Sequence, residues 1–175
     1  MTSYIALLRA VNVGGTGKLP MTELHSMCEE LGFSKVKTYI ASGNVVFQAK
    51  LPETKVKQAL EKAMATYAGK PVDVLVRTAA EMAAIVKANP FSDRAPNATV
   101  AIFLDAPPPA DTIKQATGVQ DEEIRLGRRE IYVHYGAGMG TSKLKIPAAK
   151  NGTARNINTI AKLAEMAARL EVDPK

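Results

Sequence analysis

The pattern of apolar positions in the first half of the chain predicts six elements in the order strand, helix, strand, strand, helix, strand. A near-continuous apolar run over residues 4–11 predicts a buried strand, and two later segments place apolar residues at helical spacing. Ser42-Gly43-Asn44 is a tight-turn sequence, so residues 36–49 are predicted to form a hairpin. The six elements are expected over residues 4–11, 21–31, 36–41, 45–47, 52–67 and 72–76.

This order is that of the split βαβ, or ferredoxin-like, arrangement. It predicts an antiparallel sheet with both helices on one face, within a first subdomain that covers residues 1–77. The fold class expected for the whole chain is α+β, with a second α+β subdomain over residues 78–175 packed on the first.

The second half is also predicted to be α+β, with its helices and strands in a different order along the chain. Its first helix begins at Thr78, and Glu81 follows at capping-box spacing. A basic, glycine-bearing loop over residues 136–154 is expected to hold a helical turn near Lys143–Ile146. The predicted elements are helices over 78–88, 110–116 and 156–170 and strands over 100–104, 122–126 and 130–135.

Composition narrows the function only slightly. The net charge is +6 and the sequence pI is about 9.4, which suits an anionic ligand or nucleic acid without naming either. No leader-like segment and no apolar run of ~20 residues is visible, so a cytoplasmic protein is expected. One cysteine and two histidines predict no metal site, and Cys28 falls on an apolar helix face, as a buried, inert thiol would.

The glycine-rich loop after the first strand invites comparison with phosphate-binding motifs. The P-loop pattern fails, because Asn12 stands at its first glycine and Leu19 at its hydroxyl position. The dinucleotide pattern fails at Pro20. Although neither motif is present, the strand end, the flexible backbone amides and the cations of Arg9 and Lys18 could together hold an anion. The candidate ligand-binding residues of this loop are Arg9, Asn12, Gly14, Gly15 and Lys18.

Two further polar segments are candidate partners of that loop. The hairpin turn contributes Ser42 and Asn44, although turn chemistry alone explains both residues. Residues 153–162 crowd polar side chains at a predicted helix start, within a stretch from Lys143 to Lys162 that has no acidic residue. The candidates from this third segment are Arg155, Asn156, Asn158 and Lys162.

The residues leave three hypotheses open. The first is binding of a small anionic or phosphorylated ligand in a cleft between the two subdomains, where the three polar segments would converge. The second is a nucleic-acid-binding module that uses the basic 143–162 segment. The third is a structural or interaction protein whose loops simply pack. No nucleophile–base pair is visible, so whether the protein is an enzyme stays open, and any chemistry would rest on electrostatic stabilisation by Arg9 and Arg155.

Five strings occur in order along the chain: Ala-Leu-Leu-Arg-Ala-Val-Asn-Val-Gly-Gly (6–15), Leu-Gly-Phe (31–33), Thr-Tyr-Ile-Ala-Ser-Gly-Asn-Val-Val-Phe (38–47), Asn-Pro-Phe (89–91) and Thr-Ala-Arg-Asn-Ile-Asn-Thr-Ile-Ala-Lys-Leu (153–163). With these strings the chain resembles the bacterial family called domain of unknown function 1697. The resemblance covers nearly the whole chain and departs from the family mainly in residues 144–152. It implies a compact α+β protein with ferredoxin-like subdomains, and it implies no activity, cofactor or catalytic residue.

Overall fold

A computed structural model describes residues 1–12, 18–136 and 139–172. Within these residues the chain forms eight strands and five α-helices. Contacts divide it into a first unit, Met1–Ala83 with Lys162–Lys175, and a second unit, Ala84–Ala161. The strands are β1 (Thr2–Leu8), β2 (Ser34–Thr38), β3 (Asn44–Ala49), β4 (Val74–Thr78), β5 (Thr99–Phe103), β6 (Glu123–Leu126), β7 (Glu130–His134) and β8 (Thr153–Asn156). The helices are α1 (Met21–Glu30), α2 (Glu53–Ala68), α3 (Ala79–Lys87), α4 (Thr112–Gln115) and α5 (Ile157–Val172).

The first unit is built on a four-stranded sheet in the order β2-β3-β1-β4, and all its neighbouring strands are antiparallel. Apolar side chains of α1 and α2 belong to one core with alternate residues of the strands, so both helices lie on one face. Phe33 stacks on Phe47 in this core, with 4.4 Å between ring centroids. The predicted ferredoxin-like arrangement of the first subdomain is confirmed.

The opposite face of the first sheet is also buried, which explains why β1 is an almost continuous apolar run. Gln48 and Ser3 are register partners there, and the Gln48 amide donates to the Ser3 hydroxyl at 3.1 Å. The same amide donates to the carbonyl oxygen of Leu170 at 3.1 Å, and the Lys35 ammonium donates to that oxygen at the same distance. The end of α5 therefore lies at this face, near β2 and β3.

The second unit holds a four-stranded antiparallel sheet in the order β6-β7-β5-β8. This is also the order of the strands in the first sheet. The elements predicted from the sequence lacked one strand of this second sheet. The error came from β8, whose four residues were assigned to a polar helix start. One short helix, α4, and two 3₁₀ turns, Met139–Thr141 and Pro147–Ala149, occupy the connections where the first unit has long helices.

The predicted helical turn near Lys143–Ile146 was also wrong. Thr117 and Lys145 exchange two backbone hydrogen bonds of 2.9 Å, so the chain is locally extended and paired. Leu144 and Ile146 pack against the apolar core of the second sheet. This segment therefore covers the sheet without helical structure.

The two units share one detail at the end of their fourth strands. Thr78 ends β4 and forms a capping box with Glu81, through hydrogen bonds of 2.9 and 3.1 Å, as predicted. Asn156 ends β8, and its side-chain oxygen accepts a 2.8 Å hydrogen bond from the Thr159 amide. In both units the last residue of the fourth strand therefore caps the helix that follows it.

Among the described residues, no helix combines the length and apolarity needed to cross a bilayer.

Candidate functional site

The backbone turns sharply after the central strand β1. The amide of Arg9 donates to the carbonyl of Asp73 at 2.9 Å, which extends the pairing towards β4. Ala10 and Asn12 then both have φ of 56°, in the left-handed region. Asparagine tolerates that region, whereas alanine adopts it at a cost of about 1–2 kcal/mol. Such strained backbone concentrates at functional sites, which makes this strand end a candidate.

The side chain of Asn12 closes the base of the following loop. Its Oδ1 accepts a hydrogen bond of 2.6 Å from the Leu19 amide, and its Nδ2 donates to the Leu19 carbonyl at 2.9 Å. The same Nδ2 donates to the carbonyl of Ala41 at 2.7 Å. Asn12, which was predicted to bind ligand, thus joins the two ends of this loop to each other and to the segment that holds Ala41. The predicted Gly14 and Gly15 lie outside the described residues.

The hairpin turn between β2 and β3 is held by its own polar side chains. Asn44 is fully buried, and its Nδ2 donates to the carbonyl of Tyr39 at 2.9 Å and to the Ser42 hydroxyl at 2.8 Å. The Tyr39 amide donates to the Asn44 carbonyl at 3.0 Å. Ser42 and Asn44 are therefore occupied with turn geometry, as the turn interpretation expected.

Gly43 brings this hairpin turn against the end of β1. Its carbonyl accepts a 2.9 Å hydrogen bond from the Leu8 amide, and its φ is +89°. A Cβ at this position would lie 2.5 Å from Cγ2 of Val11 and 3.1 Å from Cβ of Leu8. The structure thus brings the first two predicted polar segments together.

A pocket of about 300 Å³ opens beside this strand end, and we call it the lysine pocket. One side comes from the end of β1 and the base of the loop, and the other from the end of α2 and the segment before β4. Lys18 and Lys70 are both exposed, and neither forms an ion pair with any residue that the structure describes. The lining residues are Ala10, Val11, Lys18, Leu19, Met64, Tyr67, Ala68, Lys70 and Val72.

Lys70 and Tyr67 were missed in the sequence because the pocket depends on the meeting of distant segments. Gly69 adopts φ of 72° and ends α2, with its amide bonded to the Ala65 carbonyl at 2.9 Å. Lys70 then follows at the negative end of the helix dipole, where a cation is stabilised. In the sequence, Lys70 is marked only by its place between a helix-ending glycine and Pro71, and that pattern does not by itself predict a pocket.

The third predicted segment forms a strand at its start, so the assignment of residues 153–156 to a helix start is corrected. Arg155 lies in β8 with 8% of its surface exposed, and its Nη1 donates to Thr153 Oγ1 at 2.7 Å and to the Ala154 carbonyl at 2.9 Å. Burial lowers the pKa of the Arg155 guanidinium to about 10. Asn156 caps α5, so its side-chain oxygen is engaged.

The remaining candidates of this segment lie further along α5. Asn158 is exposed, and the Lys162 ammonium lies 3.9 Å from the Glu165 carboxylate. Arg155, Asn156 and Asn158 belong to the second unit, whereas Lys162 belongs to the first. Convergence of the three polar segments on one cleft stays a prediction.

A second buried arginine was not singled out in the sequence. Arg77 is the penultimate residue of β4, as Arg155 is of β8, and only 1% of its surface is exposed. Each guanidinium donates to the carbonyl of the preceding residue, at 3.0 Å for Arg77. The available signal was an arginine at the end of the otherwise apolar Val-Leu-Val run over residues 74–76.

The predicted burial of Cys28 is confirmed. Its side chain lies in the first core, and burial, with a smaller contribution from Glu29, raises the pKa of the thiol to about 12. A thiol with such a pKa stays protonated near neutral pH and is a poor nucleophile.

Two comparisons with known proteins return matches. Residues 1–132 match a family model described as "Protein of unknown function (DUF1697)". The solved structure of the conserved bacterial protein SP0830 from Streptococcus pneumoniae is similar, with a TM-score of 0.80 and 25% sequence identity over 95% of this chain and 98% of that chain. No curated protein matches at a significant level.

Proposed function

The chain belongs to the DUF1697 family of proteins of unknown function, and we propose that it binds a small organic anion with an apolar body in the lysine pocket. The observation that carries the proposal is the combination of two exposed ammonium groups with apolar walls around one cavity. Ligand pockets are mostly apolar, and a few placed polar groups orient the bound molecule. The lysine pocket has that composition.

The size of the cavity limits the ligand. Its volume of about 300 Å³ is at the lower end of the range for small-molecule sites, so the ligand is small. A carboxylate or phosphate would meet Lys18 and Lys70, and the apolar body would lie against Val11, Met64 and Val72. Each Å² of apolar surface removed from water contributes about 25 cal/mol, so the body adds affinity beyond the charge pair.

The backbone at the pocket supports a preorganised site. Ala10 lines the cavity in a left-handed conformation, and Asn12 fixes the position of Leu19 on the same wall. A wall held in place before the ligand arrives avoids part of the ordering cost of binding.

The test uses three probes that separate charge from apolar body: phenyl phosphate, inorganic phosphate and benzyl alcohol. Binding is followed by isothermal titration and by the rise in melting temperature, which grows with ligand concentration over Kd. Phenyl phosphate is expected to bind at least about tenfold more tightly than either partial probe, since a tenfold ratio needs only 1.4 kcal/mol.

Matched variants locate the binding. Lys18→Met and Lys70→Met keep most of the length of the side chain and remove its charge, so each is expected to weaken phenyl phosphate binding. Lys50→Met changes an exposed lysine that does not line the pocket and should leave binding unchanged. No binding of phenyl phosphate, or binding that all three variants retain, would reject the lysine pocket as the site.

The proposal is binding, not catalysis. Among the described residues, those that line the pocket include no nucleophile paired with a base. The two lysines can neutralise an anion and orient it, and the walls can exclude water from its apolar part.

The nucleic-acid hypothesis retains one supporting observation. Lys143 and Lys145 are exposed in an extended segment, where alternate residues face the same side, while Leu144 packs inward. Two phosphate contacts predict a slope of only about −1.4 for log K against log salt with a single strand. Fluorescence anisotropy with a labelled single-stranded oligonucleotide at several salt concentrations measures that slope, and Lys143→Met with Lys145→Met should abolish it.

A further inference from the structure

A groove runs along the solvent side of the first unit, between α1 and α2, and we call it the helix groove. Its volume is about 540 Å³. Apolar side chains form its floor, and they are partly open to solvent. Tyr67 is 43% exposed, and the others are half-buried: Met27, Leu31, Ala59 and Ala63. The lining residues are Glu23, Ser26, Met27, Glu30 and Leu31 from the α1 side and Ala59, Lys62, Ala63, Thr66 and Tyr67 from α2.

The two walls of the helix groove carry opposite charge. Glu23 and Glu30 are exposed on α1, seven residues apart and therefore on one side of that helix. Lys62 is exposed on α2. Within the part of the chain that the structure describes, none of these three side chains forms an ion pair.

We propose that the helix groove binds a second copy of this chain in a two-fold symmetric dimer. A two-fold axis that runs along the groove, parallel to the two helices, sets α1 of one copy against α2 of the other, because both copies present the same patch. The acidic wall then faces the basic wall twice, once on each side of the axis. The apolar floor, including the exposed Tyr67 ring, is covered between the charged walls.

The area of the helix groove determines how tightly the dimer is expected to associate. The two helices have 10 and 16 residues. Helices about 15 and 24 Å long and about 10 Å apart present roughly 400 Å² per copy. Stable interfaces bury about 800 Å² per partner, so the dimer is weak and depends on protein concentration. It does not require the ligand of the lysine pocket.

The experiment is sedimentation velocity of the full chain over micromolar to near-millimolar concentrations. The wild-type mass should rise from that of a monomer towards twice that value. Two charge variants test the geometry: Lys62→Glu, and Glu23→Lys combined with Glu30→Lys. Each variant alone sets like charges against each other and should weaken dimerisation at least about tenfold.

A mixture of the two charge variants provides the decisive measurement. The heterodimer again sets acidic walls against basic walls on both sides of the axis, so the mixture should recover wild-type association. Lys114→Glu reverses an exposed charge on α4, outside the groove, and should associate as the wild type does. Circular dichroism melting of each variant shows that it is folded.

Three results would overturn the proposal. The first is a wild-type chain that stays monomeric at the highest concentration. The second is a dimer that both charge variants leave intact, because it would use another surface. The third is a mixture of folded variants that does not associate, because the charged walls would then not face each other.

Discussion

Replacing Gly43 by alanine tests how closely the hairpin turn is packed against the end of β1. The new Cβ would stand 2.5 Å from Cγ2 of Val11 and 3.1 Å from Cβ of Leu8, and the residue keeps a φ of +89°. Gly32 provides a matched control, because its φ is +87° and a Cβ there would meet nothing within 4 Å. The two sites share the left-handed backbone, whereas only at Gly43 does the new Cβ meet other atoms.

The expected free energies follow from these geometries. The left-handed backbone costs alanine about 1–2 kcal/mol at either site, reduced by the smaller entropy of the unfolded chain. The contact with Val11 adds an overpacking cost of about 1–3 kcal/mol at Gly43 only. Gly43→Ala should therefore destabilise the protein by about 1–3 kcal/mol more than Gly32→Ala. For a chain of 175 residues that extra loss corresponds to a further decrease in melting temperature of about 2–4 °C per kcal/mol.

Urea unfolding followed by circular dichroism measures both variants, and a double-mutant cycle locates the cause. Val11→Ala removes the Cγ2 methyl that the new Cβ would touch. The two substitutions in one chain should therefore cost less than the sum of the single costs, with a coupling of at least about 1 kcal/mol. Equal destabilisation by Gly43→Ala and Gly32→Ala, or strict additivity with Val11→Ala, would show that the turn does not press against β1 as described.

Three further substitutions have defined expectations. Asn12→Gly keeps a residue that tolerates the left-handed backbone but removes three hydrogen bonds, so it should cost about 2–3 kcal/mol in urea unfolding; a loss below 0.5 kcal/mol would contradict the role of Asn12 as a tie. Thr78→Ala should cost about 1 kcal/mol, and combining it with Glu81→Ala should cost less than the sum, because both belong to one capping box. Cys28 keeps its proton in the folded state up to a pKa of about 12, whereas the unfolded chain loses it above about 9. Stability should therefore fall above pH 9 by up to about 1.4 kcal/mol per pH unit relative to Cys28→Ala, and parallel urea curves at pH 8 and 10 would count against this.

Elements with ordinary patterning could be predicted from the sequence to within a few residues. The helices α1 and α2 place Leu24, Cys28, Leu60 and Met64 at helical spacing towards the core, and Gly69 ends α2 in the left-handed conformation. Strand β8 could not be predicted because its polarity is inverted. Arg155 and Thr153 face the buried side while Ala154 is exposed, so no apolar alternation marks the strand.

The candidate site was predictable only in part for a similar reason. Asn12 and Asn44 stand out in the sequence as polar residues at turns, yet both use their amides to bind backbone carbonyls. Lys18 was singled out, whereas its neighbour across the pocket, Lys70, was not. The two lysines line one pocket because the end of α2 packs near the end of β1. Such a tertiary contact cannot be predicted from the local sequence.

The order in which the chain is synthesised bears on how the first unit folds. Residues Ala84–Ala161 form the second unit and interrupt the first, which resumes at Lys162. Gln48 and Lys35 are made before the second unit, but the carbonyl of Leu170 to which they both donate is made after it. On the ribosome, these two hydrogen bonds of the first unit therefore form only after the inserted unit and the C-terminal helix have been made. A truncation that removes Leu170 would thus remove a contact of the first unit whose donors lie 135 and 122 residues earlier in the chain.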